Sequence, residues 1–414
     1  MRDSTSPAAS ARPSPVRLLL TGTQMLFVAF GSLVLVPLLT GLDPSVALFT
    51  AGVGTLIFHA VTGRCVPVFL ASSFAFIAPI QGSITGFGVS ATLGGLMAAG
   101  LAYVVMAQVV RLRGTAWLHR LLPAIVVGPI IMVIGLALAP VAVSMASGET
   151  SDNIGYSQAL ILSMTSLLVT LLLAVFGRGL LRLVPIMGGI LSGYLLALSM
   201  GLIDFTPVRE AAWLSLPNFT APSFHWAAIL FMVPVAIAPA VEHIGDMVAI
   251  GSVTGQRYLE KPGLHRTLLG DGLATCAAAL FGGPPNTTYS EVTGAVMLTR
   301  AFNPLFMIVA ACVAIALALF AKLGAILQTI PDPVMGGIMT LLFGSIAVVG
   351  MNSLVRAGHS LTAPRNLVVV SLILVFGIGG MQLGGGQFTL QGVSLAAVVG
   401  ILLNWILPPA RKGE

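Results

Sequence analysis

Four carboxylic acids, Glu242, Asp246, Asp271 and Glu291, are embedded in long apolar stretches of this 414-residue sequence. A carboxylate at the centre of a lipid bilayer costs about 2.5–3.5 kcal/mol on insertion scales, so acids at such depth are usually functional. An ionised carboxyl group accepts hydrogen bonds from the N–H groups of a ligand, and a protonated one carries a proton. We therefore expect binding or proton-carrying roles for these residues.

Glu242 and Asp246 are four residues apart, a spacing that stacks both acids on one face of a helix. Two neighbouring carboxylates in a low dielectric do not both ionise readily, so at least one is expected to hold a proton near neutral pH. The alternative is a structural pair, bonded to backbone and hydroxyl groups, that holds two helices together. A metal site that includes His243 is disfavoured, because His243 lies off the acid face and no further ligand is evident.

Glu291 lies in the polar segment 282–294, where Pro284-Pro285 must interrupt a helix. The apolar residues that follow predict a half-helix, whose first N–H groups would face electron-rich ligand atoms inside the membrane. A second proline-flanked break covers residues 67–79. Two interrupted helices at matching places in two halves of a chain indicate a ligand site at the membrane midplane.

The ligand that these groups fit is small, flat and neutral, with N–H groups for a carboxylate and carbonyl oxygens for backbone N–H groups. Phe74, Tyr289 and Phe343 could stack on such a ring. A nucleobase fits this description. A sugar or an inorganic anion fits poorly, because the site is acidic and lacks a buried Arg or Lys. Asp271 either takes part in this site or buttresses the broken helices.

The composition points to a membrane protein: 57% of the residues are hydrophobic, 8% are charged, and the mean hydropathy is +1.02. A soluble domain carries about 25% charged residues, so a soluble fold is excluded. The net charge of +6 is spread singly along the chain, which argues against nucleic-acid binding. Three distant cysteines give no metal or disulfide spacing, and no nucleophile–base pair or zinc motif indicates an enzyme.

Apolar runs predict fourteen membrane spans behind a disordered cytoplasmic tail at residues 1–15. The spans are 18–42, 45–63, 66–85, 87–110, 121–146, 156–176, 181–203, 226–252, 265–282, 286–299, 303–330, 334–353, 366–381 and 390–408. All but two of the 19 basic residues, Arg209 and Lys322, then fall on one side. Because basic loops stay in the cytoplasm, both termini are expected there.

Seven spans per half imply that the second half enters the membrane from the opposite side, which is the arrangement of an inverted repeat. Two sequence parallels support it. Residues 123–130 of the fifth span resemble residues 331–338 of the twelfth, and Ser72-Ser73-Phe74 of the third span resembles Thr287-Thr288-Tyr289 of the tenth. The predicted fold is therefore an all-α integral membrane protein with discontinuous third and tenth spans.

Four motifs carry a resemblance to a known family: Gln24 with Gly31–Pro37, the run 66–76, Glu242-His243-Ile244-Gly245-Asp246, and 286–300. Over nearly its whole length the chain resembles the nucleobase–ascorbate transporter family, and within it the members that carry uracil. The resemblance implies a core domain (16–115 and 206–330), a gate domain (116–205 and 331–414), short strand-like segments in the third and tenth spans, and a homodimer.

The resemblance also implies a site and an activity, uracil import by proton symport across a bacterial plasma membrane. Glu242 and Glu291 would bind the ring, Glu242 with Asp246 would handle the proton, and no cofactor is needed. Sodium is the less favoured coupling ion, and membrane lipid is the other expected partner. Residues that would line or support the site are Ser32, Ser73, Phe74, Tyr289, Ser290, Phe343, Gln24, Asn286, Thr287 and Asp271.

The chain departs from the family pattern at three positions. Met25 replaces a His after Gln24, Val292 replaces an Asn after Glu291, and Asp246 stands where the uracil carriers are expected to have His. The proton carrier is therefore left open between Glu242 and Asp246. Two alternatives to uracil also remain: a purine such as xanthine or urate on the same fold, and an anion exchanger or channel on a related fold.

Overall fold

The computed structural model describes residues 14–114, 122–151, 153–358, 360–385 and 388–408. The predicted tail at residues 1–15 lies outside these ranges except for its last two residues. There Ser14 caps the first helix, its hydroxyl accepting a hydrogen bond from the backbone N–H of Arg17 at 3.3 Å, and Pro15 occupies the first helical position. Proline suits that position because its missing N–H would be unpaired there anyway.

Helices make up most of the described chain. In the first half they are α1 (Pro15–Thr40), α2 (Pro44–Val61), α3 (Ile77–Phe87), α4 (Val89–Arg113), α5 (Ala124–Ala137), α6 (Ala139–Ala146), α7 (Tyr156–Phe176) and α8 (Pro185–Ser199). The predicted span 121–146 is divided between α5 and α6, where Pro140 cannot donate a helix hydrogen bond.

A short helix, α9 (Thr206–Glu210), precedes the second half. The further helices are α10 (Trp226–Met232), α11 (Ile237–Thr254), α12 (Leu264–Leu280), α13 (Ser290–Thr299), α14 (Leu305–Ala318), α15 (Ala321–Gln328), α16 (Asp332–Ala357), α17 (Pro364–Ile378) and α18 (Gly392–Ile406). A turn of 3-10 helix joins α10 to α11, so Trp226–Thr254 is one continuous apolar helical segment.

Seven described helical units are long and apolar enough to cross a membrane, and α14 with α15 makes an eighth if the pair, bent by 82°, is one span. Four further apolar helices have 10–17 residues, among them Phe74–Phe87 and Pro185–Ser199. The chain is thus a mostly helical, multi-pass membrane protein. The sequence did not predict the hairpin of β3 (Gln382–Gly385) and β4 (Phe388–Gln391) before α18.

Two strands interrupt the helical pattern inside the protein, β1 (Leu70–Ser72) and β2 (Asn286–Thr288). They pair antiparallel, with Leu70 opposite Thr288 and Ser72 opposite Asn286, and every residue of both is buried. Irregular backbone at membrane depth must find partners within the protein. The strands meet this requirement by pairing with each other, although they lie more than two hundred residues apart in sequence.

The helices pack in two groups. In one, α12 packs against α2 and α4, and α14 packs against α1 and α2; in the other, α16 packs against α5, α6 and α7, and α17 packs against α5 and α18. Glycines allow close contact within each group. A Cβ added to Gly272 of α12 would lie 2.9 Å from the backbone oxygen of Gly100 in α4, and one added to Gly350 would clash similarly with α5. Small residues let membrane helices approach this closely.

Candidate functional site

A cavity of about 530 Å³ lies where the paired strands and α11 face α5 and α16. Its polar end holds the carboxyl groups of Glu242, Asp246 and Glu291 beside the strand ends. The opposite wall is largely apolar, with Ile131 of α5 and Ile346 of α16 among its residues. A ligand would therefore meet hydrogen-bonding groups on one side and hydrocarbon on the other, as is typical of small-molecule sites.

Helix α11 brings two acids to this cavity, as the four-residue spacing requires. Glu242 is exposed to the cavity and Asp246 is buried at its wall. The hydroxyl of Thr288 donates a hydrogen bond to Oδ2 of Asp246 at 3.0 Å, so this acid is tied to strand β2. Glu242 is therefore the more available of the two for a ligand.

Glu291 lies in the first turn of α13, which begins directly after β2. Tyr289, between strand and helix, has an extended backbone. The first N–H groups of a helix lack partners within the helix and carry partial positive charge. Glu291 therefore places a carboxylate next to N–H donors, and a ligand with both donors and acceptors could use the two kinds of group together.

Aromatic rings stand at the end of both strands. The ring centroids of Phe74 and Tyr289 are 6.3 Å apart, the planes are inclined by 45°, and both residues line the cavity. The hydroxyl of Tyr289 is buried beside Ser32 and Glu291, without a well-formed hydrogen bond to either. Phe343 is placed differently: its side chain is 1% exposed and is not part of the cavity wall in this conformation.

The remaining predicted residues divide between the wall and the layer behind it. Ser73 and Thr287 line the cavity. Ser32 is fully buried and donates a hydrogen bond to the backbone oxygen of Ala29 at 3.1 Å. Asn286, in β2, is fully buried with an unpaired side-chain amide, and Gln24 of α1 has an unpaired amide nitrogen. The side chain of Ser290 lies outside the described part of the structure.

Sequence reasoning missed the role of His243, whose ring points away from the cavity. Its Nδ1 lies 2.9 Å from Oδ2 of Asp271 and 3.1 Å from Oγ1 of Thr288, and its Nε2 lies 2.8 Å from Oγ1 of Thr267. The backbone N–H of Thr288 donates to the same Oδ2 of Asp271 at 3.3 Å. A histidine inside an apolar helix needs polar partners, and that requirement was the available signal.

The far end of the cavity was also not predicted as part of the site. Asn352, Ser353 and Arg356 line it there, in the last turns of α16, together with Leu122 and Ala124 near the start of α5. The cavity therefore extends from the strand ends to the terminus of α16 that carries a basic residue. From the sequence, Arg356 was expected only as one of the basic residues on the cytoplasmic side.

Apolar helices, two interrupted segments that pair inside the protein and a cavity with acids at that junction together define a membrane transport protein. Residues 16–385 match the model of a permease family, Xan_ur_permease. The chain belongs to this family, the nucleobase–ascorbate transporters, as its motifs predicted. It is a transporter and not an enzyme.

Several relatives match along nearly the whole chain. A probable uracil permease of Haemophilus influenzae is 56% identical over 412 residues, covering 100% of this chain and 99% of the relative. The uracil permease of Bacillus caldolyticus is 44% identical, covering 96% and 93%. That of Escherichia coli K12 is 38% identical, covering 96% and 92%.

Among solved structures, two transporters share the fold at low sequence identity. The transmembrane domain of the cyanobacterial bicarbonate transporter BicA superposes with a TM-score of 0.67 at 15% identity, covering 95% of this chain and 98% of that domain. The murine anion transporter Slc26a9, in its inward-facing state, gives a TM-score of 0.69 at 12% identity, covering 97% and 69%. These likenesses concern the fold alone.

Proposed function

We propose that this protein imports uracil by proton symport. The main structural support for uracil as the substrate is the pair of carboxyl groups, Glu242 and Glu291, that face one cavity beside two aromatic rings. Uracil presents ring N–H groups and carbonyl oxygens along its edges and a flat face. The names of the relatives, which are uracil permeases at 38–58% identity, support the same substrate.

In the proposed complex, the ring N–H groups donate to Glu242 and Glu291. Backbone N–H groups near Phe74 and at the start of α13 donate to the carbonyl oxygens of uracil. Phe74 and Tyr289 contact the face of the ring, and the apolar wall excludes water, which strengthens each hydrogen bond. Ser73, Thr287 and the more distant Ser32, Phe343, Gln24, Asn286 and Ser290 shape or support the site.

The fold that we propose around this site has fourteen spans in a seven-plus-seven inverted repeat. Helical segments coincide with the predicted spans, for example Tyr156–Phe176 with 156–176, and the matching strands β1 and β2 support the repeat. Residues 16–115 and 206–330 form the core domain, and 116–205 with 331–414 form the gate. Both termini face the cytoplasm of a bacterial inner membrane, and the protein works as a homodimer.

Transport in this proposal follows protonation of an acid at the outer side. A proton on Glu242, shared with Asp246 through their common helix face, allows neutral uracil to bind against Glu291. The core then moves against the gate, and loss of the proton inside weakens binding. One charge moved across 100 mV supplies about 2.3 kcal/mol. At one proton per uracil this corresponds to roughly fifty-fold accumulation before any pH gradient contributes.

Uptake of labelled uracil into proteoliposomes tests the proposal directly. Wild-type protein is expected to accumulate uracil when the outside is acidic, and Glu242→Gln and Glu291→Gln are each expected to reduce uptake by at least about tenfold. Glu149→Gln, which changes an exposed acid that does not line the cavity, is the matched control. Undiminished uptake in both cavity variants would refute the site, and uptake that ignores pH and membrane potential, or that depends on sodium, would refute the coupling.

A purine substrate is distinguished by competition, because the two substrate classes differ in ring size. Unlabelled uracil should displace labelled uracil, whereas xanthine and urate should compete weakly at the same concentration. Stronger competition by xanthine or urate than by uracil would instead indicate a purine substrate. Anion transport, the activity in the name of Slc26a9, is disfavoured here because Glu291 places a negative group at the half-helix.

A further inference from the structure

The hydrogen-bond network around His243 connects three elements whose relative positions determine the geometry of the proposed uracil site. His243 belongs to α11, Asp271 and Thr267 to α12, and Thr288 to β2. The side chains of His243 and Asp271 are both fully buried. We propose that His243 is a positioning residue that holds strand β2, through Asp271, and so fixes Asp246 and the start of α13. The test of this role by uracil binding rests on the proposed function, whereas the test by amide hydrogen exchange does not.

The hydrogen-bond donors of the network fix the role of one ring nitrogen. Oδ2 of Asp271 accepts from the backbone N–H of Thr288, and the Nδ1 nitrogen, 2.9 Å away, is placed as its second donor. The hydroxyl of Thr288 has a single proton, which it donates to Asp246. It can therefore only accept from Nδ1, at 3.1 Å. The protonated Nδ1 atom is the centre on which these contacts depend.

The other ring nitrogen is less constrained. Nε2 faces the hydroxyl of Thr267 at 2.8 Å, and that hydroxyl also lies 3.1 Å from the backbone oxygen of Leu264. The hydroxyl proton of Thr267 can turn to either acceptor, so Nε2 can donate or accept without any movement of heavy atoms. The positioning role is therefore expected to depend on the Nδ1 side of the ring much more than on the Nε2 side.

Strand β2 needs such a support because it is short. It has three residues, its partner β1 has three, and Thr288 is the last residue before Tyr289 and the first turn of α13. Asp271 holds the backbone N–H of Thr288, and Thr288 in turn holds Asp246. A shift of Thr288 would therefore move an acid of the cavity wall, and would move Glu291 through the connected backbone.

Two isosteric substitutions separate the two sides of the ring. In His243→Asn the amide nitrogen stands as many bonds from Cα as Nδ1 does, so it can still donate to Asp271. In His243→Gln the amide nitrogen corresponds to Nε2, so the contact with Asp271 is lost. We expect His243→Asn to keep the uracil Kd within about threefold, and His243→Gln to weaken it by about tenfold or more. Thr267→Val should resemble His243→Asn.

Amide hydrogen exchange gives a readout that needs no substrate. The peptide that covers residues 284–291 should exchange faster in His243→Gln than in wild type and His243→Asn, because the N–H of Thr288 loses its fixed acceptor. His265 is a half-buried histidine near the start of α12 and outside the network, so His265→Gln should show wild-type exchange in this peptide. Asp271→Asn, which keeps the shape but weakens both hydrogen bonds to Oδ2, should also accelerate exchange if His243→Gln does not fold.

The two readouts separate failure of this inference from failure of the proposed function. Equal exchange and equal uracil affinity in the Asn and Gln variants would overturn the positioning role, and so would unchanged exchange in Asp271→Asn. If wild-type protein did not bind uracil, the proposed function would fail, while the exchange pattern would still decide whether His243 holds β2.

Discussion

At the residue scale, the four acids at membrane depth divide by what they face. Glu242 and Glu291 face the cavity, and Asp271 lies behind the strand with its Oδ2 held by His243 and by the N–H of Thr288. Asp246 belongs to both groups, since it lines the cavity and accepts from Thr288. The free-energy cost of placing a carboxyl group at membrane depth could not separate these roles, because it is similar for all four acids in an apolar sequence.

Tyr289 offers a test of the ligand site that leaves the charges unchanged. Its hydroxyl is buried without a well-formed hydrogen bond, and a buried polar group left without one costs about 1–3 kcal/mol. Tyr289→Phe is therefore expected to keep or raise the melting temperature and to weaken uracil binding by about three- to tenfold, because a ligand at this site supplies the missing partner.

Thermal melting with and without uracil measures both effects. Phe320→Leu, which changes an exposed residue that does not line the cavity, serves as the control and should leave the uracil-induced stabilisation unaltered. A Tyr289→Phe variant that melts lower, yet binds uracil as the wild type does, would mean that the hydroxyl serves the fold rather than the ligand.

The residues of the first turns of α13 show how far sequence reasoning could go. Glu291 and the break before it follow from an acid and two prolines in an apolar run, which are local signals. Val292 stood out only as a departure from the family pattern. In the structure it is 1% exposed and packs in an apolar cluster with Ala295 and Val296. That environment depends on which helix faces α13, and one sequence does not contain this information.

At the element scale, helix positions were predictable and pairings were not. Apolar runs bounded by charges gave most of the helices to within a few residues, since hydrocarbon thickness sets their length. The predicted span 303–330 is instead two helices bent by 82°. The register of β1 against β2 could not be derived, because two three-residue segments so far apart in the chain have many alternative pairings. The His243–Asp271 contact was missed for the same reason: it is a contact between two helices, and helical periodicity only showed that His243 is off the acid face.

Close packing of α4 against α12 gives a prediction that requires no ligand. A Cβ on Gly272 would lie 2.8 Å from Cβ of Tyr103 and 2.9 Å from the backbone oxygen of Gly100. The helices must separate to admit it, which costs about 1–3 kcal/mol in a well-packed interior. Gly272→Ala is therefore expected to lower the midpoint of unfolding in detergent, measured by tryptophan fluorescence.

The same substitution at Gly344 of α16 is the matched control. Apart from the chain neighbours and the backbone of its own helix, no described atom lies within 4 Å of a Cβ built there. Alanine is favoured over glycine inside a helix by about 0.5–1 kcal/mol. Gly344→Ala should therefore be neutral or stabilising. If the two alanine variants unfolded at the same midpoint, tight contact between α4 and α12 would not be limiting for stability.

At the scale of the whole molecule, the cavity extends to the end of α16 that carries a basic residue. Arg356 is in the last turn of α16 and lines the cavity far from the strands. Basic residues mark the cytoplasmic ends of membrane helices, so we expect that the cavity connects with the cytoplasm in the described conformation. The expected direction depends on both the basic residues in the sequence and the extent of the cavity, and neither alone would predict it.

Cysteine labelling from each side of the membrane tests that direction. Ser353 lines the cavity near Arg356 and is half-buried, so Ser353→Cys should react with a membrane-impermeant maleimide in inside-out vesicles and stay unlabelled in right-side-out vesicles. The background should lack Cys65, Cys276 and Cys312, since Cys65 and Cys312 are exposed.

Glu149→Cys supplies the opposite control, because Glu149 is exposed in the loop after α6, which the charge distribution assigns to the outer side. It should be labelled in right-side-out vesicles only. Labelling of Ser353→Cys from the outside alone would reverse the topology. Labelling from both sides would instead mean that the cavity opens alternately to each face at rest, and the cytoplasm-facing state would then be only one of two populated conformations.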